Sequence, residues 1–313
     1  MMIELFLLAG AGDFAGTAFL VDADPKGYAL GIAGYGYSEG AVSNFYNPAG
    51  LGFGLKTMQH EIVLNGMQFN FGLKGGEASL ALPLPMGLTV GGRIFGYLTE
   101  VETYDSQGIS SGSIKVGSYI VEVSVSKALP LMEVTKDFYA GARVKLNMDK
   151  LAGTSVFNGA LDAGVMYLKD LGEDKLSVGA VLNNLGYSSA GTITYASLAG
   201  GVVYLKKIKD IEVKAGIGLG YEVEPRTGVG FQIDKTFQMG SPKRTGSQVM
   251  VTAGASYEYF PSLAFLGYGA GLRAMVGVRY SSGDSAYELV LGARPMADFA
   301  SYYALSLRYI ASL

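Results

Sequence analysis

The chain has 313 residues, of which 49% are hydrophobic and only 16% are charged, and its formal net charge is −3. A typical globular domain has about 25% charged residues, yet the sequence contains no run of about 18 apolar residues that could cross a bilayer as a helix. The small net charge leaves no basic patch for nucleic acid, and the absence of cysteine excludes disulfides and thiolate catalysis. Two classes of protein remain that have such an apolar composition: a soluble protein with a large core, or a closed membrane barrel that keeps its polar side inside.

The N-terminal part of the chain lacks any strand pattern. Residues 1–12 resemble the apolar region and small-residue cleavage site of a secretory signal, although the basic start of such a signal is missing. We predict export, with residues 1–12 as a signal remnant; the alternative is an apolar mature terminus. Residues 13–56 are rich in Gly and Ala and too apolar for a disordered tail. We therefore predict that they fold as a hatch into the mouth of a barrel.

Residues 57–313 alternate with a period of two. In the stretch from Phe138 to Asp149, every charged side chain falls on one face and the other face is apolar, as expected for a strand with one face in lipid. The same alternation recurs in fourteen segments, an even number that is typical of bacterial single-chain barrels. The predicted strands are 60–73, 77–82, 86–101, 114–127, 136–149, 154–169, 175–184, 196–206, 210–224, 227–235, 247–260, 267–281, 284–294 and 298–312. The sequence thus predicts an all-β transmembrane antiparallel barrel with an N-terminal hatch in the lumen.

The charged residues of these segments are assigned to the lumen. Their signs are mixed, so they could form an ion-selective or substrate-guiding wall, or a paired network that holds the hatch. We favour the paired network, because buried charges need partners and a selective pore would show a bias in sign. The predicted lumen charge network comprises Arg93, Glu122, Arg143, Lys145, Asp162, Glu212, Lys214, Glu258, Arg273, Arg279, Glu288 and Arg308.

Nothing in the sequence indicates catalysis. Gly216–Gly220 and Gly267–Gly271 are similar to phosphate-binding loops, but no Lys-Ser/Thr pair follows them. With no cysteine and a single histidine, His60, the chain offers no evident nucleophile with a base. We predict a protein that is not an enzyme and has no cofactor and no metal site.

A family resemblance rests on the run Asn47, Pro48, Ala49, Gly50 and Leu51, which follows a Gly/Ala-rich stretch. This run resembles the N-terminal hatch signature of the FadL superfamily of outer-membrane proteins. Together with Leu182–Gly186 at a strand end, it is most similar to the shorter PorV-like branch. The resemblance implies a fourteen-stranded barrel in which these five residues serve the hatch or its ligand. For the fatty-acid transporters it implies capture and passage of a hydrophobic molecule, and for the PorV-like branch a partner role in protein secretion.

The predicted function follows from these observations. We expect a barrel of the bacterial outer membrane that binds or passes small hydrophobic compounds through a hatch-gated lumen. The alternative is a partner or scaffold barrel of a secretion system, which the short segments 102–113, 185–195 and 236–246 favour; a general porin comes third. The expected partners are outer-membrane lipid, a hydrophobic small molecule, secretion-system proteins and the barrel assembly machinery, for which the terminal Leu313 resembles a recognition signal. Nucleic acid is not expected.

Overall fold

The structure is a computed structural model of the 313-residue chain. It describes residues 22–53, 59–69, 74–104, 107–108, 110–129, 138–151, 153–190, 194, 196–221, 225–239, 247–259, 270–294 and 302–312. The predicted signal remnant, the first part of the predicted hatch and Leu313 lie outside these residues, so the domain boundaries at 12 and 56 stay predictions.

Fourteen antiparallel strands form one closed barrel in which each strand pairs with its neighbours in the chain and β1 pairs with β14. The predicted fold class and strand number are confirmed. Closure pairs the backbone groups that would otherwise form a sheet edge. The strands are β1 (Gln59–Phe69), β2 (Lys74–Leu84), β3 (Leu88–Tyr104), β4 (Ser110–Ala128), β5 (Phe138–Leu151), β6 (Thr154–Leu171), β7 (Asp174–Ser188), β8 (Ser197–Ile208), β9 (Ile211–Tyr221), β10 (Pro225–Met239), β11 (Ser247–Tyr259), β12 (Ala270–Ser282), β13 (Ser285–Arg294) and β14 (Tyr302–Ser312).

The strand ends differ from the predicted ones mainly where two neighbouring strands extend together. The segment 102–113, predicted as a connection, is largely strand, because β3 and β4 stay paired from Leu88–Lys127 to Tyr104–Ser110. β2 pairs with β3 only as far as Leu98, so the β3–β4 hairpin extends beyond β2 at the end of the barrel where β3 finishes.

The two ends of the barrel differ in their connections. One end, which we call the turn end, holds the start of β1, the finish of β14, the short turns at 85–87, 172–173, 209–210 and 283–284, and two longer connections, 129–137 and 240–246. The other, the loop end, holds longer segments such as 189–196 and 260–269. No helix among the described residues is long and apolar enough to cross a membrane.

Side chains alternate between an apolar outer face and a largely polar inner face. On β5, Val144 and Leu146 are exposed on the outside, whereas Arg143 and Lys145 are buried inside. The same division holds on β12, where Val276 is exposed and Arg273 is buried. The outer surface is therefore suited to lipid along its strands.

One irregularity interrupts the wall between β6 and β7. The register shifts between Leu161 and Ala163, so that Asp162 stands against both Asn183 and Asn184. Asn184 has a φ of 58°, and its backbone N–H donates to Asp162 Oδ1 at 2.7 Å. The hydroxyl of Thr194 donates to the Asn184 carbonyl at 2.5 Å. The bulge thus turns two consecutive asparagines toward the lumen and satisfies the backbone groups that it frees.

A charge on the outer face tests the assignment of this face to lipid. Val144 lies near the middle of β5 and its side chain is half exposed. We expect Val144→Arg to lower the free energy of unfolding in phospholipid vesicles by about 2–4 kcal/mol, because the guanidinium would sit in hydrocarbon. Urea unfolding measures the change, and Val144→Ile serves as the control. A loss below 0.5 kcal/mol would contradict the lipid-facing assignment.

Candidate functional site

The lumen is occupied by residues 22–53, which we call the hatch. It folds into four short 3₁₀ turns: Pro25–Ala29, Gly31–Tyr35, Gly40–Asn44 and Pro48–Gly52. Two of them start with an acceptor side chain followed by proline, because Asp24 accepts from the Lys26 N–H at 3.0 Å and Asn47 from the Ala49 N–H at 3.1 Å. Such caps, with proline at the first turn position, fix where each turn begins.

Each of the four turns packs on a different sector of the inner wall. The first packs on β11–β13, the second on β8–β10, the third on β1–β3 and the fourth on β4–β6. The hatch therefore contacts most of the inner circumference, and its chain crosses the lumen between the second and third turns. The rings of Tyr35, Phe45 and Tyr46 pack edge to face within it, with centroid separations of 5.4 and 5.1 Å.

Inward-facing glycines let the hatch backbone approach the wall. A Cβ on Gly218 would lie 2.6 Å from the Ile32 carbonyl carbon, and one on Gly201 would lie 2.7 Å from the Ala33 oxygen. The glycines of Gly216–Gly220 are thus contact sites for the hatch, since small residues permit close backbone approach. Of the second glycine motif, Gly271 has no neighbour within 4 Å of an added Cβ, and Gly267 and Gly269 lie outside the described residues. The wall glycines whose added Cβ would meet the hatch are Gly91, Gly141, Gly164, Gly179, Gly201, Gly216, Gly218, Gly220, Gly228, Gly230, Gly254 and Gly292.

Two asparagine amides fasten the second half of the hatch to wall carbonyls. Asn44 Nδ2 donates to the oxygens of Leu80 at 2.9 Å and Gly92 at 3.2 Å, which are cross-strand partners in β2 and β3. Asn47 Nδ2 donates to Val165 at 3.0 Å and Ala180 at 3.5 Å.

Val165 and Ala180, whose carbonyls bind the Asn47 amide, are likewise cross-strand partners, in β6 and β7. The same arrangement therefore occurs twice, and a glycine beside each amide leaves room for it: Gly91 next to Asn44, and Gly164 next to Asn47. These contacts are between neutral groups.

The first half of the hatch is held by charged side chains of the wall, in addition to the hydroxyls of Ser177 and Ser256. Asp22 lies 3.5 Å from Arg273 Nη1, Lys26 Nζ lies 3.4 Å from Glu288, and Asp24 pairs with Arg308. All three wall partners lie on β12, β13 or β14. Both members of each pair are largely withdrawn from water. Each of the three wall groups also has a second partner on the wall.

The structure places the predicted lumen charges in five groups and pairs each group internally. Arg93 joins Glu122 at 3.2 Å; Arg143 and Lys145 share Asp162; Lys214 joins Glu212 at 3.3 Å; Arg273 joins Glu258 at 3.0 Å; and Arg279 and Arg308 share Glu288. Glu212 differs from the rest, since its side chain is 40% exposed.

Several members of these groups were not singled out from the sequence. Glu77 accepts from Arg93 at 2.6 Å, Asp234 lies 3.2 Å from Lys214 and Glu61 lies 2.6 Å from Arg308. All three occupy inward positions of predicted strands, so the alternation alone could have identified them. The hatch acids Asp22 and Asp24 lie in a segment without periodicity, and the sequence offers no signal for their partners.

The hatch signature residues lie in and just before the fourth turn. Asn47 and Leu51 are buried, and Pro48 and Ala49 pack against Gly141 of β5. Gly50 has the Ser38 carbonyl beside it, where a larger residue would not fit. These five residues contact wall and hatch, and their predicted ligand-binding role stays a prediction.

An apolar cluster lies in the lumen near the loop end of the hatch. Met67, Phe95, Ile120 and Met275 point inward from β1, β3, β4 and β12, and they pack with Tyr28 of the hatch. All of them are buried. The Arg93 guanidinium stands between the rings of Phe45 and Phe95, 5.4 and 5.2 Å from their centroids, so its charge is covered by aromatic faces. We call the four wall residues Met67, Phe95, Ile120 and Met275 the apolar floor.

The turn side of the hatch is more polar. A cavity of about 30 Å³ lies between Lys26, Tyr37, Glu39 and Lys214, which is enough for at least one water molecule. Within the described residues, no group of three or more His, Asp or Glu side chains is placed to hold a metal ion.

Two hatch carboxyls have shifted pKa values. Burial raises the pKa of Asp22 to about 7, although Arg273 and the hydrogen bond from Tyr46 pull it down. Burial also opposes ionisation of Glu39, but the ammonium groups of Lys214 and Lys26 and the hydrogen bond from Tyr37 lower its pKa to about 2. Asp22 is therefore the carboxyl of this pair whose charge changes near neutral pH.

Comparison with known proteins identifies the fold. No protein-family model and no curated protein match the chain. Among solved structures, it is similar to the CymD monoaromatic hydrocarbon channel, with 12% identity and a TM-score of 0.61 over 94% of this chain and 98% of that one. It is similar to the Ralstonia pickettii toluene transporter TbuX, with 10% identity and a TM-score of 0.58 over 92% and 98%.

A third similar structure is a FadL homologue from Pseudomonas aeruginosa, with 10% identity and a TM-score of 0.56 over 96% and 100% of the two chains. The chain thus has the fold of FadL-type outer-membrane channels, as the resemblance predicted. The finer assignment to the PorV-like branch stays a prediction.

A methyl group placed between wall and hatch tests their close contact. We expect Gly218→Ala to loosen the hatch, because the new Cβ would meet the Ile32 backbone at 2.6 Å. Limited proteolysis should then cleave the hatch at least several-fold faster. Gly271→Ala is the matched control, since Gly271 also faces inward and its added Cβ would meet nothing within 4 Å. Equal cleavage of both variants would argue against a tightly seated hatch.

The raised pKa of Asp22 predicts how the stability of hatch binding to the wall, which we call seating, depends on pH. The seated hatch retains a proton between the usual Asp pKa of 3.8 and about 7, so the released form binds fewer protons and seating weakens as pH rises through this range. From pH 5 to 8 we expect a loss on the order of 2 kcal/mol, whereas Glu39 acts only below its usual pKa of 4.5.

Hydrogen exchange of the hatch amides, corrected for the intrinsic effect of pH, measures this loss. Asp22→Asn should remove the pH dependence, whereas Asp284→Asn in the exposed β12–β13 turn should retain it. A wild-type hatch with equal protection at both pH values would refute the expectation.

Proposed function

We propose that this protein passes small hydrophobic compounds across the bacterial outer membrane. The observation that carries the proposal is the apolar floor: a barrel lined by paired charges presents buried Met67, Phe95, Ile120 and Met275 at the loop-end side of its hatch. Apolar side chains gathered at this depth offer a compound without charge a site that excludes water. An aqueous pore for ions would instead line its path with polar groups.

The shared fold supports the same proposal. The similar structures include proteins described as a monoaromatic hydrocarbon channel and a toluene transporter. At 10–12% identity their ligands are not transferred to this chain residue by residue. The apolar outer face of the strands and the short turns at one end fit an outer-membrane barrel whose turn end faces the periplasm.

Passage requires part of the hatch to move, and the two halves are held differently. Residues 40–53 are fastened by the amides of Asn44 and Asn47 to backbone carbonyls. Residues 22–36 are held through ion pairs that involve Arg273, Glu288 and Arg308. Each of these wall groups has a further wall partner, so a released hatch would leave none of them alone. The ionic half is therefore the part that opens.

Entry of a hydrophobic probe into intact cells tests the transport proposal. We expect cells that produce the barrel to take up N-phenyl-1-naphthylamine several-fold faster than cells without it, with no faster entry of glucose. Met275→Gln should reduce probe entry several-fold because it makes the apolar floor polar at similar volume. Met239→Gln, on the exposed outer face of β10, is the control. Probe entry independent of the barrel would overturn the proposal, and faster glucose entry would indicate a porin.

A disulfide can show whether transport requires movement of the second half of the hatch, residues 40–53. The Cβ atoms of Gly52→Cys and Thr89→Cys would lie 3.6 Å apart, within the range for disulfides, and the chain has no other cysteine. This bond would fix the second half of the hatch to β3. We expect probe entry to be the same in oxidised and reduced cells; loss on oxidation would show that the second half also moves.

The second candidate function is a partner barrel of a protein secretion system. It is favoured by the connections at the loop end, which leave few residues for an extracellular capture site; the segments 260–269 and 295–301 are among the longest. Pull-down from native membranes tests it. Stoichiometric recovery of another envelope protein, together with no barrel-dependent probe entry, would replace the first proposal with this one.

A further inference from the structure

Four lysines project outward near the turn end of the barrel, one from each of four alternate strands. They stand near the ends of β4, β6, β8 and β10, which all run toward the turn end. All four are exposed. We call them the lysine belt, and its members are Lys127, Lys169, Lys206 and Lys235.

The strand register places the last three at one level. Lys206 stands opposite Val213 of β9, which stands opposite Ile233 of β10. Lys235 is the next outward residue after Ile233, so the belt advances by one outward position over two strands. A stagger of this kind follows the tilt of strands in a barrel.

The same step recurs on the other side of Lys206. Lys169 stands opposite Leu176 of β7, which stands opposite Tyr204 of β8. Lys206 is again the next outward residue. Neighbouring belt lysines are therefore about 10 Å apart across the sheet, from two strand spacings of about 4.8 Å, while Lys127 lies somewhat farther toward the membrane centre.

The belt is not neutralised by protein groups. Among the described residues, none of the four ammonium groups lies within ion-pair distance of a carboxylate. Lys235 Nζ lies 5.2 Å from the ring of Phe237. Asp174, which starts β7 beside the belt, accepts a hydrogen bond from the Tyr204 hydroxyl. Other carboxylates also lie at this end of the strands, such as Asp170, which lies 3.7 Å from Lys175, but among the described residues none of them pairs with a belt lysine.

Among the described residues, the opposite half of the barrel has no outward lysine at this level. At the turn end of β12, β13, β14 and β1, the outward positions carry the aromatic residues Tyr280, Tyr287, Tyr309 and His60. Aromatic rings suit any bilayer interface, whereas ammonium groups at the same level select negative charge. The two halves of the circumference thus present different chemistry to the same leaflet.

We infer that the lysine belt binds the phosphate headgroups of anionic phospholipids in the leaflet at the turn end. The lysines point away from the lumen, so a lumen ligand cannot reach them. Their alkyl stems can follow the outer wall while the ammonium groups reach the headgroup layer. The inference needs only that the barrel sits in a bilayer and holds whether or not it transports hydrophobic compounds.

Retention of lipid by the purified full-length barrel tests the inference. The barrel is mixed with equal phosphatidylglycerol and phosphatidylcholine in detergent, and native mass spectrometry counts the bound lipids. Wild type should prefer phosphatidylglycerol, and the preference should fall at high salt. Lys169→Gln/Lys206→Gln/Lys235→Gln should weaken it by at least about tenfold, since each lysine near anionic lipid contributes roughly fivefold.

The matched control is Lys74→Gln/Lys115→Gln/Lys150→Gln, which removes the same charge from outward positions near the loop end. It should retain the preference within about twofold. The inference is overturned if wild type shows no preference, or if both triple variants lose it equally. Heat-modified migration in electrophoresis, which reports a folded barrel, must be unchanged in each variant, so a loss of lipid cannot come from unfolding.

Discussion

Backbone hydrogen bonding in lipid is the constraint on which the rest of this structure depends. No water is available in the hydrocarbon region to satisfy an open sheet edge, so the strands must close. Here β1 pairs with β14 from Gln59–Ser312 to Phe69–Tyr302, and closure at fourteen strands leaves a wide interior. That interior has to be filled with groups that satisfy the inner face. The hatch, the glycines and the paired charges are the means by which this chain fills it.

The hatch can fill the lumen because the inner wall and the hatch both carry small side chains where they touch. Glycines such as Gly201 and Gly218 let the turn backbone touch the strand backbone, and 3₁₀ turns present their own carbonyl and amide groups at the contact. Ser126 and Ser256 accordingly donate to the carbonyls of Ala49 and Tyr28, at 2.8 and 2.5 Å. A hatch of regular helices would have placed side chains between the two backbones and would have required a larger barrel.

The strands could be predicted from the sequence, but the contacts of the hatch could not. Alternation is a local signal, so the faces of β5 and β12 follow from a dozen residues each. Pairing within the lumen depends on the stagger of the whole barrel. Arg308 pairs with Glu61 because β14 pairs with β1. The sequence near either residue does not predict this pair. Asn44 lies only three residues before the signature run that starts at Asn47, yet its bonds to Leu80 and Gly92 depend on the register of β2 and β3 and could not be predicted.

The different fastening of the two hatch halves has a physical consequence. An amide bound to two backbone carbonyls is specific in geometry and does not depend on salt or pH, and Asn44 and Asn47 hold residues 40–53 in this way. Glu61 and Arg143 add charged contacts to the backbone of Ala41 and Asn44. The pairs that involve Asp22 and Arg273 respond to protonation and to competing charge. Because Arg273 also holds Glu258 at 3.0 Å, the wall stays compensated when the hatch acid leaves. The charged lumen is therefore arranged so that one half of the hatch can detach without exposing an unpaired charge on the wall.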